Sequence, residues 1–216
     1  MTGERPEEIA AIQKQIDDLL NECASHESHN TVFRDWVELM ACAIRANIMK
    51  DPAYEEQYQQ VAKKYTKDQI AKFQQCYALL VSLFDHEIND WLGNIFMSSG
   101  AGDTKSGQFF TPFHACELAA ALTEPTGQPP FFLMEPTCGA GGMLLASIKK
   151  LASKGINFQQ DLNIEANDID PHCVRMCYVQ LSIIGAAAKI TLGNALYNEC
   201  LDTWFTPMYV WRRCDF

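Results

Sequence analysis

The sequence predicts an α/β protein in which a helical N-terminal domain precedes a domain built on parallel strands. Over residues 9–96, apolar side chains recur at helical spacing between capping signals. From residue 131 onward, short apolar runs alternate with turns and amphipathic stretches, the pattern of successive βα units. The 216 residues are 48% apolar, which is enough for a substantial core. We predict a helical domain at 1–97, a linker at 98–106 and an α/β domain at 107–216.

The composition limits the partners and the compartment of the chain. Its net charge is −10, with only 17 scattered Lys and Arg residues, so a protein acting on DNA would need another component to hold the phosphates. The nine cysteines form no CxxC pair, which favours reduced thiols in a cytoplasm. We see neither a signal peptide nor a membrane-spanning run. Cys23, His26 and His29 form only a single cluster, so we predict no metal site.

Capping signals divide the helical region. We expect Thr31 to cap a second helix, and Asp51 followed by Pro52 to open a third. The segment from Thr66 to Gln69 matches a capping box that opens a fourth. The aromatic residues along these helices are expected in the core.

A glycine- and serine-rich segment, SSGAGDTKSG from Ser98 to Gly107, is the clearest linker. It could be a hinge between domains or a mobile lip over a pocket. Directly after it, GQFFTP leads into a helix that reaches Leu122. Thr111 as N-cap and Pro112 at the first helical position are ordinary helix chemistry. They do not account for two adjacent phenylalanines on a glycine-rich loop.

The stretch FFLMEPTCGAGGMLLAS, residues 131–147, predicts a strand, a glycine turn and a helix. The apolar run 131–134 is typical of a strand buried on both faces, and Glu135 and Pro136 end it. Such a unit presents backbone N–H groups to a ligand at a helix N-terminus. An ordinary βα turn is one alternative. A dinucleotide fingerprint is another, but it would need glycine where the chain has Leu144.

Two further strands are predicted. One begins near Ile164 and ends at Asp168, where a carboxylate can accept hydrogen bonds from ribose hydroxyls. Asp170 before Pro171 is expected to cap the next helix. The third strand covers 189–192, and Asn194 follows it with one carbonyl acceptor and one amide donor.

The form Glu-Pro-x-Cys-Gly-x-Gly-Gly at residues 135–142 resembles the S-adenosylmethionine (SAM) loop of adenine-N6 DNA methyltransferases, especially the modification subunits of type I restriction systems. GQFFTP resembles the family segment that closes over the methionine end of the cofactor. The resemblance covers about residues 100–200. It implies a Rossmann-like SAM-dependent domain that transfers methyl from SAM to adenine N6 in DNA. It also implies DNA contact through a partner specificity subunit or a missing domain, in a homo- or hetero-oligomer.

The resemblance also implies which residues contact the cofactor. Asp168 would hold the ribose, and Ile169 would lie against the adenine. Asn194 stands where the family commonly has an aspartate, so its contact with the adenine amino group would be weaker. The implied cofactor-binding residues are Gln108, Phe109, Phe110, Thr111, Pro112, Glu135, Pro136, Gly139, Ala140, Gly141, Gly142, Asp168, Ile169 and Asn194.

The catalytic residues are harder to assign. The family holds the target adenine with Asn/Asp-Pro-Pro-Tyr/Phe after the fourth strand, and no such tetrapeptide follows Asn194. The nearest match is 206–209, after a possible strand at 202–205. Thr206, Pro207 and Tyr209 are therefore weak candidates for a degenerate site. Otherwise this is an ordinary strand end, and the sheet lacks its catalytic half at the C-terminal end. The chain would then be an enzyme completed by missing parts or a partner, or a catalytically inactive SAM-binding regulatory module.

Overall fold

The computed structural model describes residues 4–24, 27–98, 109–123 and 127–213. Its first part is helical, as the sequence predicts. The helices before the predicted linker are α1 (Glu4–Cys23), α2 (His29–Met49), α3 (Pro52–Ala62), α4 (Lys67–His86) and α5 (Trp91–Ser98). Helix α1 packs on α4, and α2 packs on α3.

Side-chain caps explain where three of these helices begin. Asp51 accepts a hydrogen bond at the start of α3, and Thr66 and Gln69 form the reciprocal capping box of α4, so both predictions are confirmed. The predicted cap of α2 is wrong. Helix α2 begins at residue 29, and the hydroxyl of Ser28 accepts a hydrogen bond from the backbone N–H of Thr31.

Strands and helices alternate in the second part. Its elements are α6 (Phe113–Leu122), β1 (Phe131–Glu135), α7 (Gly142–Ser153), α8 (Phe158–Asp161), β2 (Leu162–Asp168), α9 (Pro171–Ile183), β3 (Ala188–Leu192), β4 (Asp202–Phe205) and α10 (Pro207–Trp211). Asp170 caps α9 as predicted, since its carboxylate accepts a hydrogen bond from the N–H of His172. The predicted linker, apart from Ser98, lies outside the described residues, and the division into domains stays a prediction.

The sheet has the order β1-β2-β3-β4. Strands β1, β2 and β3 are parallel, with Leu133 opposite Ile164 and Ile164 opposite Ala188. Strand β4 is antiparallel to β3, with Trp204 opposite Ile190. The carboxyl ends of the three parallel strands therefore meet at one edge of the sheet, and the carboxyl end of β4 lies at the other.

Among the described residues, nothing covers one face of the sheet. Burial alternates along the strands: Ile164 and Ile190 are buried in the core, whereas Phe132 and Met134 are 76% and 73% exposed. The prediction that β1 is buried on both faces is thus wrong. Strand β1 pairs only with β2 among the described residues, and its apolar run serves the core with every second side chain. We call the exposed side, which carries Phe132 and Met134, the open sheet face.

An ion pair joins the helical part to the sheet. Arg45 of α2 donates two hydrogen bonds, of 3.0 and 3.1 Å, to the carboxylate of Asp202 at the start of β4. The hydroxyl of Tyr54 donates a third, of 2.9 Å. The guanidinium also lies over the rings of Tyr54 and Trp204, 3.7 and 4.4 Å from their centroids. Burial acts to raise the pKa of Asp202, but the hydrogen bonds from Arg45 and Tyr54 outweigh it and hold that pKa below its ordinary value.

The cysteines, the helices and the metal-binding side chains of the described residues can each be compared with the sequence predictions. Eight cysteines in it are free thiols, and all of these except Cys200 are buried. None of the helices in the described ranges combines the length and the apolar character needed to cross a bilayer. Within the same ranges, no group of three or more His, Cys, Asp or Glu side chains could hold a metal ion, and His26 lies outside them.

The lowered pKa of Asp202 gives a pH-dependent prediction. Because the folded-state pKa lies below the unfolded one, the stabilisation is present above the unfolded value of about 3.9 and is lost as the pH falls through the folded value. We expect Asp202→Asn to lower the free energy of unfolding by about 2 kcal/mol at pH 7, measured by urea denaturation, and the difference to shrink in acid. The exposed Asp18, paired with Lys14, supplies the control Asp18→Asn, which should leave the urea midpoint unchanged. A loss that is the same at pH 7 and in acid would contradict the assignment.

Candidate functional site

The carboxyl ends of the three parallel strands are tied together by Asn167 in β2. Its side-chain amide donates hydrogen bonds to the carbonyls of Pro136 after β1, at 3.3 Å, and Gly193 after β3, at 2.9 Å. The backbone carbonyl of Asn167 accepts a hydrogen bond from the N–H of Cys138 at 2.8 Å. Asn167 is not among the residues predicted for the site, although an amide next to the acid at a strand end is a usable signal. These hydrogen bonds fix the backbone next to the glycine turn relative to the ends of β2 and β3.

The glycine turn has backbone angles that other residues rarely adopt. Gly139 has φ 54° and Gly141 has φ 104°, and the N–H of Gly141 donates a hydrogen bond to the carbonyl of Cys138. A β-carbon on Gly141 would lie 3.3 Å from the sulfur of Cys177. The turn therefore requires glycine there for conformation and for space. It delivers the chain to the N-terminus of α7, which begins at Gly142.

The carboxylate of Asp168 lies directly against this turn. One oxygen accepts a hydrogen bond of 2.9 Å from the N–H of Gly139, and the other accepts one of 2.9 Å from the N–H of Asp170. A carboxylate has about four acceptor positions, so each oxygen keeps one for another donor. The N–H of Gly193 also donates to the backbone carbonyl of Asp168. The acid, the turn and the end of β3 thus form one site.

The segment before α6 covers the turn from the other side. The ring of Phe110 would touch a β-carbon on Gly139 at 3.3 Å, and it rests on the ring of Phe96, with centroids 5.3 Å apart. Phe109 is 69% exposed, and Gln108 lies outside the described residues. In the segment that the resemblance implies closes over the cofactor, one phenylalanine ring therefore lies on the turn and the other is exposed.

The helix after this segment begins one residue later than predicted. Helix α6 starts at Phe113, so Pro112 occupies the N-cap position and no side chain caps the helix. The hydroxyl of Thr111 is not the predicted cap. Its carbonyl accepts a weak hydrogen bond from the thiol of Cys116, with 3.6 Å between sulfur and oxygen.

The remaining predicted contacts lie at the same edge of the sheet. Glu135 accepts hydrogen bonds from the N–H and the hydroxyl of Thr137, at 3.2 and 3.3 Å. The side-chain carbonyl of Asn194 accepts a hydrogen bond from the N–H of Leu196, at 3.0 Å, and so caps a 3₁₀ turn. Ile169 follows the acid of β2 and is 64% exposed.

These residues fit an adenosyl group. Asp168 offers free acceptor positions for vicinal hydroxyls, and the exposed Ile169 offers an apolar surface for a flat heterocycle. Gly139 and Gly141 contribute no side chains of their own between a ligand and the backbone, and the Phe110 ring lies against Gly139. A hydrogen bond with Cys177, followed by burial, raises the pKa of Cys138 well above its ordinary value. This rise in pKa favours the protonated thiol.

The weak catalytic candidates lie elsewhere. Because β4 is antiparallel to β3, its carboxyl end lies beside the amino ends of the parallel strands. Residues 206–209 therefore lie at the opposite end of the strands from Asp168. The hydroxyl of Thr206 is buried, donates to the carbonyl of Ala186 at 2.7 Å and accepts from the N–H of Ala188 at 2.9 Å. Pro207 opens α10.

The third candidate is also engaged at that edge. The ring of Tyr209 stacks on Phe205, with centroids 4.9 Å apart. A degenerate target-base site at Thr206, Pro207 and Tyr209, facing the cofactor turn, does not fit this geometry.

Two buried polar side chains beneath the turn were also missed. Gln180 of α9 is fully buried and donates hydrogen bonds to the carbonyl of Ala140 and to the carboxylate of Asp90, both at 2.8 Å. Asp90 precedes α5 and is 4% exposed. The signal in the sequence was a glutamine within the apolar face of a helix.

Two of the cavities outside the turn differ in their relation to the site. One, of about 310 Å³, is apolar and lies between α2, α3 and α4, with Trp36 and Phe73 in its wall. The other, of about 540 Å³, lies on the open sheet face and includes Glu135, Pro136 and Asn167. The larger cavity therefore borders the site described above, and the apolar one does not.

Comparison with known proteins gives both relatives and structural neighbours. The methylase subunit of the type I restriction enzyme MjaIX from Methanocaldococcus jannaschii is 27% identical over 120 residues, which cover 53% of this chain and 21% of that protein. A class I S-adenosylmethionine-dependent methyltransferase from Listeria monocytogenes superposes with a TM-score of 0.50 and 13% identity, over 89% of this chain and 56% of its own. This likeness confirms the predicted Rossmann-like methyltransferase fold.

A type I restriction-modification methyltransferase subunit from Streptococcus thermophilus superposes with a TM-score of 0.45 and 11% identity, over 91% of this chain and 60% of its own. The chain thus spans about a fifth of the length of the curated relative and three fifths or less of these two structures. The family described as N-6 DNA Methylase matches residues 87–208, which is more than half of the chain. This match confirms the resemblance found in the sequence, and the chain belongs to the N-6 DNA Methylase family.

Proposed function

We propose that this chain forms the SAM-binding part of a DNA adenine-N6 methyltransferase of the restriction-modification type, and that another polypeptide segment completes its catalytic site. The family and the fold imply S-adenosylmethionine as the cofactor. The observation that carries the proposal is the meeting of Asp168, Gly139 and Phe110, because the acid bonds to the turn and the ring lies on it.

Each group would have a defined task. When bound, SAM supplies an electrophilic methyl group on its sulfonium. Asp168 would accept hydrogen bonds from the ribose hydroxyls with its free acceptor positions, and Ile169 would cover one face of the adenine. Phe110, held on Phe96, would exclude water from the turn. The carboxylate of Asp168 also places negative charge near a cationic ligand.

The residues that hold the target adenine are proposed to come from outside residues 4–213. An exocyclic amine needs a flipped base, an acceptor for its protons and an aromatic surface to stack on. A strand that paired in parallel with β1, on the side away from β2, would end beside Pro136 and the glycine turn, and we propose that the base lies there. Sheets of parallel strands normally have both faces covered, and Phe132 and Met134 are exposed on the open sheet face. We propose that a polypeptide segment carrying that strand packs there.

The net charge of −10 bears on how DNA is held. Because few Lys and Arg side chains are available to neutralise phosphates, we propose that a specificity subunit, or a domain outside this chain, makes most of the contacts with the DNA backbone. The buried free thiols agree with a cytoplasmic location, which we retain as a proposal. A catalytically inactive regulatory module that binds SAM is the second candidate.

Calorimetry with SAM tests cofactor binding. We expect the wild type to bind SAM, and Asp168→Ala to weaken binding by about 10- to 100-fold, because a charged acceptor for the ribose is lost. Asp51→Ala, which removes a carboxylate that caps α3, should leave the affinity unchanged. A wild-type chain that ignores SAM but binds NAD would refute the proposal.

The glycine turn has its own matched pair of variants. Gly141 and Gly155 both have positive φ, but a β-carbon on Gly155 would meet nothing within 4 Å, whereas one on Gly141 would crowd Cys177. Gly141→Ala should therefore weaken SAM binding much more than Gly155→Ala, which adds only backbone strain of about 1 kcal/mol. Equal effects in the same calorimetric assay would argue against a site at this turn.

A methyl-transfer assay with radiolabelled SAM and adenine-containing DNA tests completion at the β1 edge. With a candidate modification or specificity subunit added, we expect activity that falls at least tenfold in Phe132→Glu and Met134→Glu, while the Kd for SAM stays constant. Leu122→Glu, at a side chain of helix α6 that is 81% exposed, is the control at an exposed apolar residue that is not on the sheet. Full activity in the Phe132→Glu variant would contradict docking of that segment on the open sheet face. SAM binding with no transfer under any of these conditions would favour the regulatory module.

A further inference from the structure

We propose that Asp90 and Gln180 are positioning residues through which the helical part of the chain fixes the conformation of the glycine turn. This inference rests on the proposed function, since it assigns the shape of the turn to SAM binding. It concerns the contact between α5, α9 and the backbone of Ala140, which lies between the two glycines with positive φ.

Gln180 is the centre of this contact. Its side-chain nitrogen donates one hydrogen bond to the carbonyl of Ala140 and one to a carboxylate oxygen of Asp90, each 2.8 Å long. Its side-chain oxygen accepts a hydrogen bond of 3.0 Å from the N–H of Leu92. Both amide hydrogens and the amide oxygen are thus used, so only one orientation of the side chain satisfies all its partners. Because Gln180 is fully buried, losing one partner would leave an unpaired polar group away from water.

Asp90 fixes this orientation from the helical side. The same carboxylate oxygen accepts a hydrogen bond of 3.0 Å from the N–H of Gly93 in the first turn of α5. The other oxygen would lie 3.1 Å from a β-carbon on Gly142, so the carboxylate also abuts the first residue of α7. Burial raises the pKa of Asp90, and the hydrogen bonds from Gln180 and Gly93 oppose that rise without cancelling it. A buried carboxyl group that merely capped a short helix would not need to reach α7.

These hydrogen bonds form a continuous series of contacts from the helical part to the glycine turn. Helix α5 holds Asp90 and the N–H of Leu92, these hold Gln180, and Gln180 holds the carbonyl of Ala140. Fixing this carbonyl fixes the peptide plane between Ala140 and Gly141. The glycines cannot fix it themselves, because they adopt many backbone angles at little cost. The turn is therefore preorganised from outside its own sequence.

The test compares hydrogen exchange and SAM affinity in matched variants of the full chain. Without SAM, Asp90→Ala and Gln180→Leu should raise amide exchange across residues 139–145 at least tenfold, and both should weaken SAM binding at least tenfold. Asp90→Asn keeps an acceptor oxygen for Gln180 and Gly93, so it should remain within about threefold of the wild type in both measurements. If Asp90→Ala does not fold, Gln180→Leu carries the test, because it replaces the amide with an apolar group of similar size.

The control separates positioning from general stability. Asp35 is another buried carboxylate of the helical part, paired with Lys64 and Tyr65 and without contact to the turn. Asp35→Ala should lower the Tm and leave both exchange at residues 139–145 and SAM affinity unchanged. The inference is overturned if Asp35→Ala alters the turn as much as Asp90→Ala, or if Gln180→Leu leaves exchange at the wild-type rate. If the variants alter exchange but the wild type does not bind SAM, the positioning role stands and the proposed function fails.

Discussion

The hydrogen bonds at the end of β2 are the constraint on which the rest of the site depends. Asn167 binds the backbone after β1 and β3, and Asp168 binds the N–H of Gly139. Without them, three strand ends and a glycine turn would have no common geometry, because the turn contributes almost no side chains of its own. The same carboxylate that shapes the turn keeps acceptor positions for a ligand, so the proposed function assigns both the shape of the site and the contact with the ribose to one residue.

The helical part of the chain belongs to this arrangement. Helix α2 packs on α9 and is joined to β4 by the Arg45–Asp202 pair, while α5 reaches the turn through Gln180. The match to the N-6 DNA Methylase family begins at residue 87, so it includes α5 and Asp90. The physical boundary of the cofactor site therefore lies before the predicted linker, and a separation at that linker would cut through contacts that shape the turn.

Much of this could be predicted from local sequence. Strand, glycine turn and helix at 131–147, and the capping of α3, α4 and α9, follow from short-range rules that do not need the fold. The caps predicted for α2 and α6 were wrong by a few residues, and the other failures depended on position in the sheet. An apolar run such as that of β1 cannot show that it will lie at an edge with one face open. The placement of Thr206 could not be foreseen, because it depends on β4 pairing antiparallel to β3. Gln180 and Asp90 are 90 residues apart, and no local pattern connects them.

A crystal structure of the chain grown with S-adenosylhomocysteine tests the central claim most directly. The account predicts ribose hydroxyls within hydrogen-bonding distance of the Asp168 carboxylate, the heterocycle against Ile169, and Phe110 still on the glycine turn. A ligand seated instead in the cavity of the open sheet face, with Asp168 bonded only to Gly139 and Asp170, would contradict it.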